Sequence, residues 1–272
     1  MKFIVLTSLA LGLSSADVVT VVPGGSLIPH ECILEVSNKD VVSNDKMLAM
    51  LPEHCTDSAK DLQFGTQQIY AQDAHLQNTA GLWTNFTGDW IVPPLPSSHD
   101  GQVDYHWTGF KSSQPEMGYP VLQPVLQYGQ TMQAKWQLQS WYVWGNGGKA
   151  VTGPAVDINE GDKLTTYMSF DDDSQTWTVY GKNEASGEES ILTITKDALG
   201  CDCDFEWAMI VHETIGKKTG YCDDYPADSS GITYTNTRLD GEAVDWTTRV
   251  QKTECGEAVN VEDDKVEFTW KN

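Results

Sequence analysis

The sequence predicts an all-β protein, a sandwich or a barrel, preceded by an N-terminal leader of different composition. Three observations predict it. All ten tryptophans fall between Trp83 and Trp270, and burying tryptophan dominates core energetics, so the main core belongs to that part of the chain. From Trp83 onward, short runs rich in β-branched and aromatic residues recur, each closed by Gly, Pro, Asn or Asp, which is the punctuation of strands and turns. Six cysteines follow an apolar N-terminus, the pattern of an exported, disulfide-bonded chain.

The elements follow in order. Met1-Lys2 gives a positive start, Phe3 to Leu13 is almost wholly apolar, and Ser14-Ser15-Ala16 offers small residues before Asp17. This run is too short to span a bilayer, which takes about 20 residues, and it reads as a signal peptide over residues 1–16. Residues 17–75 contain no tryptophan and a single tyrosine, Tyr70, with helix-compatible stretches at Asn44 to Met50 and Ser58 to Leu62. They form a leader or propeptide-like segment, clipped by a local Cys32–Cys55 disulfide. Residues 76–272 form the β domain. Its strand patterns include Trp90-Ile91-Val92, Val103 to Trp107, Val121 to Leu126 with an edge or bulge at Pro124, Trp136 to Trp144, Lys163 to Phe170, Trp177 to Tyr180, Ser190 to Ile194, Trp207 to Val211, Ile232 to Thr235 and Val266 to Trp270. Cys201, Cys203, Cys222 and Cys255 pair among themselves, with connectivity left open by the sequence. Asn85-Phe86-Thr87 is an N-glycosylation sequon, placing a candidate glycan on Asn85.

Charge narrows the partners. A formal net charge of −22 repels phosphate backbones and anionic lipid, so neither nucleic acid nor a membrane surface is expected as a partner. The same acidity suits solubility or work at low pH, where carboxylates protonate and repulsion fades. Asp171 to Ser174 has turn chemistry and lacks the glycine and terminal glutamate of a calcium loop. Cys201 and Cys203 lack a second ligand pair at zinc spacing. No metal and no cofactor are expected, and a monomer is.

No G-x-S-x-G elbow or H-E-x-x-H helix is present. More specific is the succession Val125-Leu126-Gln127-Tyr128-Gly129, Gln139-Ser140-Trp141-Tyr142-Val143-Trp144, and Gly153 to Asp162. It resembles the glutamic peptidases, or eqolisins, acid-acting secreted endopeptidases whose motifs run I-L-Q-T-G, D-A-W-Y-E-W and G-I-T-I-S-E-G-D. Trp90-Ile91-Val92-Pro93 and Trp107-Thr108-Gly109-Phe110 are similar to that family's W-x-V-P and W-V-G-I segments. The resemblance spans roughly residues 83–215. It implies a concanavalin A-like sandwich, or jelly roll, of two antiparallel sheets. It also implies a catalytic pair, with the glutamine on Gln127 and the glutamate on Glu213, the end of Ala208-Met209-Ile210-Val211-His212-Glu213; Glu206 competes for the second role. In such a pair the carboxylate activates water and the amide stabilises the oxyanion. Three positions depart from the family: Val143 replaces a glutamate, Gln139 an aspartate, and Lys111 an acidic residue.

Two functions are therefore expected as rivals. One is a secreted acid endopeptidase acting on peptides or polypeptides. The other is a non-catalytic, concanavalin-like protein presenting aromatic side chains to a glycan or peptide. Candidate binding residues are Trp107, Trp141, Tyr142 and Trp144. Because alternate strand residues face opposite sides, Trp141 shares a face with Val143, while Tyr142 shares one with Trp144, and one of these sets is core.

Overall fold

A computed structural model of the chain describes residues 19–56, 69–78, 83–113, 119–130, 134–144, 148–201, 203–216, 221–227 and 231–271. The predicted signal segment, residues 1–16, lies outside them. The leader contributes a hairpin of Val19–Val21 (β1) and Leu27–Pro29 (β2), two short strands Ile33–Glu35 (β3) and Val41–Val42 (β4), and helices Asn44–Met50 (α1) and Glu53–Thr56 (α2). The Ser43 hydroxyl caps α1 by accepting the Lys46 N–H at 3.3 Å. The strands that follow are Ile69–Gln77 (β5), Asn85–Ile91 (β6), Val103–Lys111 (β7), Val121–Tyr128 (β8), Trp136–Val143 (β9), Ala150–Thr152 (β10), Val156–Ile158 (β11), Lys163–Asp171 (β12), Thr176–Asn183 (β13) and Glu189–Thr195 (β14). Trp207–Ile215 (β15), Ile232–Leu239 (β16), Glu242–Ala243 (β17), Thr247–Val250 (β18), Ala258–Glu262 (β19) and Lys265–Thr269 (β20) complete the set.

These strands make a β-sandwich of two nine-stranded sheets. The first runs β18-β5-β15-β7-β8-β9-β10-β3, with β11 also on β9. The second runs β19-β20-β16-β6-β12-β13-β14-β4, with β17 also on β16. Every pairing within the two sheets is antiparallel except two, β3 on β10 and β4 on β14. Both parallel strands come from the leader, so it finishes one edge of each sheet. The 75/76 boundary falls inside β5, which lies between β18 and β15 in the first sheet. The disulfides are Cys32–Cys55, Cys201–Cys203 and Cys222–Cys255. Among the described residues no helix is long and apolar enough to cross a membrane.

The two sheets meet through alternate residues. Phe110 of β7 packs on Phe86 of β6 at 5.6 Å and on Trp177 of β13 at 5.5 Å. Ser140 of β9 donates twice to Ser190 of β14, from its N–H to the hydroxyl and from its hydroxyl to the carbonyl, both at 2.8 Å. The second sheet shows the alternation expected when one face is solvated: β13 and β14 are buried at every other residue. The first sheet breaks that rule. Strand β7 is buried at every residue before Lys111, and β15 at every residue after Trp207. Its second face is covered too.

Candidate active site

The covered face is set by register. Glu213 of β15 stands opposite Tyr105 of β7, Tyr105 opposite Gln127 of β8, and Gln127 opposite Gln137 of β9. Directly opposed residues in antiparallel strands project to the same face. Gln127 and Glu213 therefore stand in one row, two strand spacings or about 10 Å apart at the backbone. The next row brings Asp73, Val211, Trp107, Val125 and Gln139 into line. This face points away from the second sheet, because the intervening position Thr108 meets Thr166 across the interior at 3.4 Å.

Each member of the pair is held. The Trp141 indole N–H donates to Gln127 Oε1 at 3.2 Å, and Gln127 Nε2 donates to Gln139 Oε1 at 3.0 Å. Since an indole can only donate, it fixes which end of the Gln127 amide is oxygen and leaves one Nε2 proton uncommitted. Gln139 Nε2 in turn donates to the Gly153 carbonyl at 2.9 Å. Glu213 is 7% exposed. Burial lifts its carboxyl above the ordinary range, and Asp73 adds to the lift. The Gly24 N–H, the Trp107 indole and Lys111 oppose it. The indole contact is loose, since Trp107 Nε1 is buried without a hydrogen-bond partner.

The leader hairpin covers this row. Gly24 N donates to Glu213 Oε2 at 2.9 Å. The Val21 carbonyl lies 2.8 Å from the Tyr105 hydroxyl and accepts from Gln130 Nε2 at 3.1 Å. Gly24 and Gly25 turn the hairpin at φ of 88° and 76°, a region where a side chain would be strained. The tight turn brings a backbone N–H close to the carboxylate. Beside it a cavity of about 340 Å³ remains, lined in part by Gly24, Trp107, Gln123, Val143, Glu213 and Arg249.

The other expected site residues separate as the strand period requires. Trp107 and Trp141 share the face of the pair. Tyr142 points into the interior, where its hydroxyl donates to the Leu199 carbonyl at 2.7 Å. Trp144 packs against Tyr142 at 4.2 Å with Lys149 over its ring at 4.5 Å, so neither joins the pair. Glu206 lies off the row, accepting the Ser113 N–H at 3.0 Å. Asn85 opens β6, half-buried, with its N–H on Asp240 Oδ1 at 2.8 Å. Three further participants carry no motif in the sequence: Tyr105 between the pair, Asp73 in the next row, and the hairpin itself. Strand parity alone could have found Tyr105, which stands two residues before Trp107 in an alternating run.

No protein-family model and no curated protein matches the sequence. Solved structures do match in shape. Scytalidoglutamic peptidase, solved with a peptide-based transition-state analogue, aligns with 75% of this chain and 100% of its own, at 14% identity and a TM-score of 0.52. The fold is that of the glutamic peptidases. SCP-B, a member of the eqolisin family solved with the tripeptide Ala-Ile-His, aligns over the same shares at 14% identity and a TM-score of 0.50. At these identities the likeness extends to the fold alone.

Proposed function

We propose that this chain is a secreted endopeptidase of the glutamic-peptidase type, acting in acid, with Gln127 and Glu213 as its catalytic pair. The observation that carries the reading is their common row and face, reached from strands that neither alternation nor spacing could register. An ionised Glu213 takes a proton from water as that water attacks the peptide carbonyl. The uncommitted Gln127 N–H donates to the oxyanion, and Glu213 returns the proton to the leaving amine. Val143 and Gln139 remove two carboxylates that the family places nearby, so the high proton affinity of Glu213 comes chiefly from burial.

The signal segment and three disulfides support an extracellular location, and the leader supplies a built-in plug. Its backbone satisfies Glu213 and Tyr105 in the place where a substrate backbone would lie. The glycan-binding rival draws no support from the aromatic residues, since Trp107, Trp141, Tyr142 and Trp144 are between 0% and 6% exposed.

The test is peptide hydrolysis in acid by the intact chain and by a chain cut after Pro29 through an engineered site. The cut chain is expected to cleave at least about tenfold faster, because the competing segment no longer has the effective concentration of a tethered ligand. Absence of cleavage by both forms across the acid range would sink the reading. Trp141→Phe, which removes the N–H orienting Gln127, is expected to slow the cut chain about tenfold with its melting temperature nearly kept. An unchanged rate would show that the indole does not position the amide.

A further inference from the structure

Lys111, which stands where the glutamic peptidases have an acidic residue, is not used by the proposed chemistry. The structure places it at one end of the cleft beside Arg249, in a chain with only 17 lysines and arginines against 39 acidic residues. A cavity of about 310 Å³ is lined there by Lys111 and Arg249 with His75, Tyr119, Trp207 and others. It continues into the Glu213 cavity through Lys111, Tyr119, Met209 and Arg249, which line both. No residue of the leader hairpin, Val19 to Pro29, is among those lining this end.

Of the two cations there, only Arg249 is directly paired. Asp73, 1% exposed, is engaged on both oxygens: Oδ1 by His75 Nδ1 at 2.6 Å, Oδ2 by Arg249 Nε at 2.8 Å and Nη2 at 2.7 Å. That leaves other Arg249 N–H groups toward solvent. Glu206, tied to the Ser113 N–H, does not line the cavity. Among the described residues Lys111 has no ion-pair partner; its ammonium sits 5.1 Å over the Tyr119 ring. A half-buried ammonium held over an aromatic face, with no ion-pair partner, is open to an incoming anion. Burial lowers its proton affinity, while Glu213 and Asp73 raise it.

We infer that this end of the cleft is a carboxylate subsite, and that the substrate is an acidic peptide with an Asp or Glu side chain lodged between Lys111 and Arg249. The inference rests on reading the cleft as a peptide channel. Phosphate recognition would ask for more donors; a carboxylate matches one ammonium and one guanidinium edge.

The test uses the intact chain and short peptides identical except for Glu or Gln, with the substituted position scanned along the peptide. Binding is read by calorimetry and by tryptophan fluorescence, to which Trp207 contributes. At one position the wild type is expected to favour Glu about tenfold, or about 1.4 kcal/mol. Lys111→Met should abolish the preference and Lys111→Glu should reverse it, with melting temperatures unchanged. Equal affinity for both peptides at every position, no binding of either, or an unaltered preference in Lys111→Glu would overturn the inference. The two readings fail separately. Acidic preference without cleavage by either the intact or the cut chain keeps the subsite and sinks the peptidase, whereas indifferent binding with cleavage does the reverse.

Discussion

Glu213→Gln in the cut chain is expected to lose peptide hydrolysis by about a thousandfold, within the range a positioned general base supplies. The change is nearly isosteric, and it removes a buried ionisable group, so the fold should melt no lower than the wild type. Gln127→Ala should cost about a hundredfold or more, the usual worth of one oxyanion donor. The two losses should not add, because both groups act on one transition state.

The pH profile gives an independent check. The general base must be ionised, so the rate should climb as pH rises through the Glu213 pKa, which burial holds above its ordinary value of 4.5. Removing the hairpin admits water to the carboxyl and takes away the Gly24 N–H. The first change moves the acid limb to lower pH and the second to higher pH, so the sign of the net move reports whether the hairpin acts on Glu213 chiefly by burying it or by its N–H. Glu213→Gln should retain no such limb. A residual activity with the wild-type pH profile would assign the base elsewhere.

The second large effect concerns stability in acid. Between the sheets, the rings of His106 and His212 stack with centroids 4.5 Å apart, both fully buried. Thr214 donates its single proton to Asp104 at 2.6 Å, so His212 Nε2, 3.2 Å from the same hydroxyl, must donate. His212 Nδ1 then accepts from Gln72 at 3.4 Å, which makes the ring neutral. Burial pushes the His212 pKa down to about 3, and burial followed by the His212 neighbour pushes His106 well below its usual value. The sign follows from linkage. Both rings are neutral in the folded chain and titrate near 6.5 in the unfolded one, so the stability they permit is present above about pH 6.5 and falls in acid. Between about pH 6.5 and 4.5 His212 alone should remove about 2 kcal/mol, and His106 acts in the same direction. Loss of repulsion among the acidic groups acts in the opposite direction, so the melting temperature should peak in mild acid and then drop. His106→Leu tests this directly. Both His106 nitrogens lack partners, so no hydrogen bond is lost, and the variant should lose stability more slowly in acid. Parallel pH curves for wild type and variant would rule the histidines out.

Much of this architecture is legible in the amino-acid sequence. The turn-punctuated runs mark the strands, and the period of two separates Trp141 and Val143 from Tyr142 and Trp144. The Cys32–Cys55 clip is legible because it is local; the choice between Cys201–Cys203 and longer pairings is not. The common row of Gln127 and Glu213 is not readable from alternation, since register across Tyr105 is fixed by pairing between residues more than twenty positions apart. Strand β5 is split by the 75/76 boundary because Ile69 to Gln77 has mixed polarity, and its polar members Asp73 and Gln72 find partners at Arg249 and His212 only in the folded chain. Strands β3 and β4, of three and two residues, are too short to show any period.

Those two short strands have a consequence for how the molecule can be activated. An outermost strand is a template on which a second chain can build, and β3 and β4 hold that place at one end of each sheet. A cut between Pro29 and Ile33 would release the hairpin while Cys32–Cys55 keeps its neighbours in place. Loss of the leader through Thr56 would instead bare β10 and β14 at the same moment that it frees the cleft. Such a protein would be open to substrate and also open to its own copies. The position of the cut would then decide between an enzyme and an aggregate.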